Sequence, residues 1–263
     1  MRIISLSAIK GGVGKTTLAF NFGEWLASQG KQVLFIDLDH QCNLSQTYGI
    51  FKTTGTVADI FRRTGVAQPI QVKEGISIIP GYMQLDSVER DLENKANKDM
   101  LLYMWFNDNY ESLNLGQYDY VIIDCHPDFS TATRNAIAVS HSIISPLTPS
   151  EHGYMAKFNI EERLEGFRDE VIDYQTRQSY ITAKLYFVAN MVAHNKTSSK
   201  VLLEKLADDP RWIASIPNKE LFNKSTLEKR SISEMKEEPT IVSQHRKFYT
   251  EIEETFQKIC DII

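Results

Sequence analysis

Residues 3–17 read Ile-Ile-Ser-Leu-Ser-Ala-Ile-Lys-Gly-Gly-Val-Gly-Lys-Thr-Thr, and the order of their properties decides the fold. An apolar, β-branched run opens the stretch and glycines stand at 11, 12 and 14. Lys15, Thr16 and Thr17 then lead into Leu18, Phe22, Trp25 and Leu26, which fall at helical spacing before Gly30. The pattern predicts a strand, a tight turn and a helix that stops at Gly30. Glycines let a backbone come close to a phosphate and point several N–H groups at its oxygens, and the helix start adds its positive end. Gly11, Gly12, Val13, Gly14, Lys15, Thr16 and Thr17 therefore read as a phosphate-binding loop. Lys15 is placed to neutralise the β and γ phosphates, and the Thr16 hydroxyl to ligate Mg²⁺.

Further apolar runs at Val33–Ile36, Ile76–Ile79, Tyr120–Ile123, Ile143–Leu147, Leu185–Ala189 and Trp212–Ile216 read as buried strands, most of them separated by stretches of helical spacing. Strands alternating with helices predict an α/β fold with a mainly parallel central sheet flanked by helices on both faces. Residues 86–111, polar and then aromatic, are expected to be helical with one packed face. With no repeat and no Pro/Gly/Ser linker in 263 residues, a single domain over 1–263 is the expectation.

Two of the strands end in carboxylates. Val33–Ile36 runs into Asp37, Leu38, Asp39, His40, Gln41, and Tyr118–Ile123 into Asp124, Cys125, His126, Pro127. Ligands of such sheets sit at the carboxyl ends of the strands, where a carboxylate can orient a water or help hold a metal. The alternative for Asp37 and Asp39 is that they cap the following helix.

A net charge of −5 lacks the basic footprint of a constitutive nucleic-acid binder. Three separated cysteines suggest neither a disulfide framework nor a cysteine metal knuckle, and no apolar run approaches the roughly 20 residues of a membrane span. A soluble protein of a reducing cytosol is the expectation. Zinc needs three or four converging ligands, which the spacing of the six histidines does not supply even where His40 and Cys42 are close, so surface histidines are expected. The helical run Phe248, Ile252, Phe256, Ile259, Ile263 carries Glu251, Glu253, Glu254 and Asp261. It reads as a helix packed on the sheet rather than on a membrane.

The stretch Lys10–Thr17, KGGVGKTT, resembles the deviant Walker A loop of the ParA and MinD class of P-loop NTPases, with Ile9 where the strict pattern begins with glycine. Asp37 to Asn43 resembles the Walker A′ motif of that class, and Asp124 its Walker B acid. His40 and His126 stand where those motifs usually carry proline. The likeness to ParA-type partition ATPases continues through Asn190, matching an adenine-recognising asparagine, and Pro217, matching a turn beside the base. Asn218 and Lys219 follow where arginine is common. The resemblance implies ATP and Mg²⁺ as ligands, with Lys10, Lys15 and Asp39 catalytic. Asp39 activates the water, Thr16 and Asp124 serve the metal (Asp124 through a water), and Asp37 stands near it. It implies the short form lacking an N-terminal helix-turn-helix domain and an ATP-dependent homodimer in which Lys10 reaches the nucleotide of the second subunit. It further implies slow hydrolysis stimulated by a centromere-binding adaptor, and a cytoplasmic, nucleoid-associated protein with no membrane partner. Non-specific DNA would be held through Lys219, Lys224, Lys229 and Arg230, for which a solvated helix face is the alternative. The other readings are a MinD-like membrane-positioning switch and a metabolic or metallocluster enzyme on the same fold.

Overall fold

The computed structural model describes residues 1–263. One eight-stranded sheet contains β1 (Arg2–Leu6), β2 (Val33–Leu38), β3 (Ile70–Lys73), β4 (Ile76–Ile79), β5 (Tyr120–Cys125), β6 (Ser142–Leu147), β7 (Lys184–Val192) and β8 (Trp212–Pro217). The spatial order is β3-β4-β2-β5-β1-β6-β7-β8. Every neighbouring pair is parallel except β3 and β4. Seven strands coincide with the apolar runs. The eighth, β3, is a half-buried edge strand reading Ile-Gln-Val-Lys, and its single apolar face leaves a weak signature.

The helices are α1 (Lys15–Ser28), α2 (Asn43–Thr47), α3 (Val57–Arg62), α4 (Leu85–Leu92), α5 (Leu101–Asn109), α6 (Thr131–Val139), α7 (Glu151–Glu170), α8 (Thr197–Leu206), α9 (Glu220–Glu228), α10 (Ile232–Met235) and α11 (Pro239–Ile262). Alternation along β2 shows how they divide. Val33 and Phe35 join the core under α1, α9 and α11, while Leu34, Ile36 and Leu38 join the opposite core under α3 to α6. A third core lies where α7 and α8 cover β6 and β7. The stretch 86–111 supplies α4 and α5, whose Val88, Leu92, Trp105 and Phe106 pack into the second core. Gly23 sets the closeness of α1 to the sheet, because a Cβ there would lie 2.2 Å from the Phe35 ring.

Along α11, Phe248, Tyr249, Ile252, Phe256 and Ile259 are buried against the sheet and α1, which is the packed helix the sequence predicts. No helix is long and apolar enough to cross a membrane.

A buried charge ties the edge strand to this face. Glu24 of α1 accepts hydrogen bonds from Lys73 Nζ of β3 and from the Tyr48 hydroxyl, each at 2.8 Å, and Lys73 also pairs with Glu234 of α10 at 2.8 Å. Burial pushes the Glu24 carboxyl up, and Lys73 opposes that shift. Removing one partner of such a pair strands the other charge. Lys73→Met is expected to lower the unfolding free energy by roughly 3 kcal/mol, read from urea denaturation at pH 7; a change within a few tenths of a kcal/mol would show that Glu24 does not depend on Lys73.

Candidate functional site

The glycine loop joins the end of β1 to the start of α1, in the middle of the sheet. Gly12 and Gly14 have φ of 70° and 85°, in the left-handed region that favours glycine. At Gly14 the missing Cβ has a second use. The Asn190 amide, arriving from β7, donates to the Val13 carbonyl at 2.7 Å, and a Cβ on Gly14 would lie 2.5 Å from its nitrogen. Gly14 is also the N-cap of α1 and supplies no side-chain cap, so the opening N–H groups of the helix face the loop. Lys15 is buried at the mouth of this cradle, and Lys10 on the rim donates to Ser150 Oγ at 3.2 Å. The same Ser150 oxygen accepts the Gly153 N–H at 3.0 Å and caps α7.

Beside the loop, sheet register sets two carboxylates next to each other. Asp124 on β5 is the register partner of Leu6 on β1 and of Asp37 on β2. Both aspartates are fully buried, and their surroundings differ. Asp37 Oδ2 accepts from the Ser45 N–H at 2.9 Å and the Ser45 hydroxyl at 2.6 Å, and Oδ1 accepts from the Asp39 N–H at 3.2 Å. Ser45 Oγ in turn accepts the Gly81 N–H at 2.9 Å. Asp37 thus clamps the loop after β2. Burial still holds its carboxyl up at about 6.

Neither oxygen of Asp124 has a well-formed hydrogen bond. Burial, then the Asp37 charge, pushes its carboxyl up to about 8, with the Thr16 side chain and the Lys15 ammonium offsetting the rise in part. An orphaned buried carboxylate beside a threonine hydroxyl suits a divalent cation, so Thr16 and Asp124 are the residues that could hold Mg²⁺.

Asp39 stands almost buried beyond the clamp, its Oδ1 accepting the Gln41 N–H at 2.8 Å. The loop of β2 and that of β5 also bring together two histidines that are remote in sequence. The His40 and His126 rings lie 3.7 Å apart, centroid to centroid, and Asp39, His40 and His126 offer ligand atoms within 4.8 Å of one another. This corrects the expectation that the histidines do not converge. Neighbouring strand ends bring them together, and linear spacing carries no trace of it.

A cleft of about 220 Å³ opens between the loop, α1 and the ends of β7 and β8, lined in part by Thr17, Asn190, Pro217 and Lys219. The register of β7 against β8 breaks between Ala189 and Val192, where Met191 adopts φ 57°. Such a bulge re-aims side chains, here beside the phosphate loop.

The basic residues after β8 are mostly engaged. Lys224 pairs with Glu228 at 3.6 Å and Arg230 with Glu238 at 2.5 Å, and Lys219 lies over the Phe248 ring while lining the cleft. Lys229 stands exposed. Sequence reading missed Ser45 and Gly81, since each acts through a neighbour in space and belongs to no linear motif.

A glycine loop between β1 and its helix, with acids closing the adjacent strand β5 and the strand β2 beyond it, defines a P-loop NTPase fold. The family described as an AAA domain matches residues 1–173, and the chain belongs to that family. The chain is 35% identical over 153 residues to the chromosome partitioning protein ParA of Caulobacter vibrioides, a match covering 56% of each protein, so the chain spans little more than half of that relative's length. A variant of Cyanothece McdA solved with ATP superposes with a TM-score of 0.80 at 18% identity, covering 98% of this chain and 96% of the other. A plasmid partition protein of Borrelia burgdorferi gives 0.70 at 23% identity over 87% of this chain and 95% of its own. The ParA-type resemblance read from the motifs therefore stands.

The Asp124 shift has a direction that can be tested. Its folded value lies above the ordinary 3.8, so the stability it contributes is full at acid pH and is lost as pH rises through about 8. In EDTA and without nucleotide, Asp124→Asn is expected to melt several degrees above the parent at pH 8, the gap closing toward pH 5. A gap independent of pH would show that Asp124 is not the titrating group.

Proposed function

We propose that this chain hydrolyses ATP and works as a nucleotide-dependent partition switch of the ParA type. The observation that carries the reading is the meeting of the glycine loop, Asp124 and Asp39 at one edge of the sheet. The loop N–H groups and Lys15 would hold the phosphates, and the cleft beside Asn190 and Pro217 would take the base. Thr16 and, through a water, Asp124 would hold Mg²⁺, which would supply charge neutralisation for the phosphates. Phosphoryl transfer needs mainly positioning and electrostatics. Asp39, held by the Asp37 clamp, is placed to orient the attacking water.

Lys10 at the rim is available to a second copy of the chain, because its tie to Ser150 is a single partly exposed hydrogen bond. An ATP-bound homodimer joined through Lys10 and the γ phosphate would persist only until hydrolysis, so turnover becomes a release step. Dimerisation would also double any basic surface, with exposed Lys229 the foremost contact to non-specific DNA and Lys219, Lys224 and Arg230 behind it. A centromere-binding adaptor stimulating slow hydrolysis, and residence on the nucleoid, complete the proposal. ParA relatives support it, as does the burial of the apolar face of α11 against the sheet, which favours it over a MinD-like membrane switch.

Asp39→Ala should keep ATP binding within a few-fold of the parent and lower turnover by roughly 10²–10⁴-fold, measured by nucleotide binding and phosphate release on the same preparation. Loss of binding, or unchanged turnover, would remove Asp39 from this role.

A further inference from the structure

We propose that Asp39, His40 and His126 form a site for a divalent transition-metal ion of the Zn²⁺ class, distinct from the Mg²⁺ position at Thr16 and Asp124. Their ligand atoms already lie within 4.8 Å of one another, and the two imidazoles face each other at 3.7 Å with ring planes 33° apart. Zn²⁺ bonds of about 2.0–2.1 Å need the ligands closer, and the soft χ2 torsion of histidine supplies that movement. Imidazole nitrogen selects zinc-like ions over Mg²⁺, which prefers oxygen and keeps its waters.

A second observation points the same way. His126 Nδ1 sits 2.9 Å from Asp128 Oδ2, which leaves Nε2 as the free nitrogen. Asp128 is itself fixed by the Ser130 N–H at 3.1 Å and the Thr133 hydroxyl at 3.3 Å. A carboxylate that orients a histidine through its other nitrogen is the usual second support of a metal-ligating imidazole. Gln41 occupies Asp39 Oδ1 and leaves Oδ2 available. Both histidines are only half-buried, so an ion can enter from solvent, and three protein ligands leave a position open.

The site has a consequence for turnover, and that consequence rests on the role proposed for Asp39. A metal ion on Asp39 would withdraw its carboxylate from the attacking water, so zinc would restrain hydrolysis.

Binding tests the site without using activity. Zn²⁺ alone is titrated into the nucleotide-free full chain against a chromophoric chelator, with Mg²⁺ in large excess. One Zn²⁺ should bind with a dissociation constant on the order of 1 µM or tighter. His40→Gln and His126→Gln should each weaken it at least roughly tenfold, and Asp128→Asn should weaken it by about the same factor, all with unchanged melting temperature in EDTA. Failure to take up one Zn²⁺ by about 100 µM, or uptake that both histidine variants leave unaltered, would overturn the site. Phosphate release then tests the consequence: Zn²⁺ should slow the parent and spare His40→Gln. A parent that binds Zn²⁺ at these residues and hydrolyses at full rate would overturn the restraint and count against Asp39 as the residue that orients water.

Discussion

Two carboxylates side by side in the interior of a parallel sheet are the constraint on which the rest depends. Strand register sets Asp37 against Asp124, and burial deprives both of water. In such surroundings a charge needs hydrogen bonds, a cation or a proton. Asp37 takes the first route through Ser45 and the Asp39 N–H, and so becomes the anchor of the loop that carries Asp39. Asp124 is left without partners beside Thr16 and Lys15. The fold thereby keeps a place for a cation at the spot where a phosphate cradle opens.

The cradle is fastened from a distance on both sides. The Asn190 amide on the Val13 carbonyl ties the phosphate loop to the bulged end of β7, and Lys10 on Ser150 ties it to the cap of α7. Anything that draws Lys10 away, or presses on Asn190, acts on elements that face other surfaces of the molecule.

Much of this was legible in the sequence because the signals are local. A strand, three glycines, a lysine and a threonine in a fixed order have few other meanings, and a fully buried parallel strand announces itself as an unbroken apolar run. β3 escaped because an edge strand buries one face only. Asp37 and Asp39 look alike as letters at the end of one strand, and only the approach of Ser45 from α2 separates the anchor from the acid beyond it. His40 and His126 occupy positions of different motifs, so their meeting depends on β2 lying beside β5, a fact of topology. The basic run after β8 suggested a cationic patch, but glutamates four and eight residues away claim Lys224 and Arg230.

The central claim is that occupancy of this site by ATP changes what the surface of the protein binds. It is tested most directly by the affinity of a random-sequence DNA duplex for the protein with ATP, with ADP and without nucleotide, each across a salt series. The account predicts binding confined to the ATP state, with affinity falling steeply as salt rises because phosphate contacts release counterions. Equal affinity in all three states, or no binding in any, would contradict it.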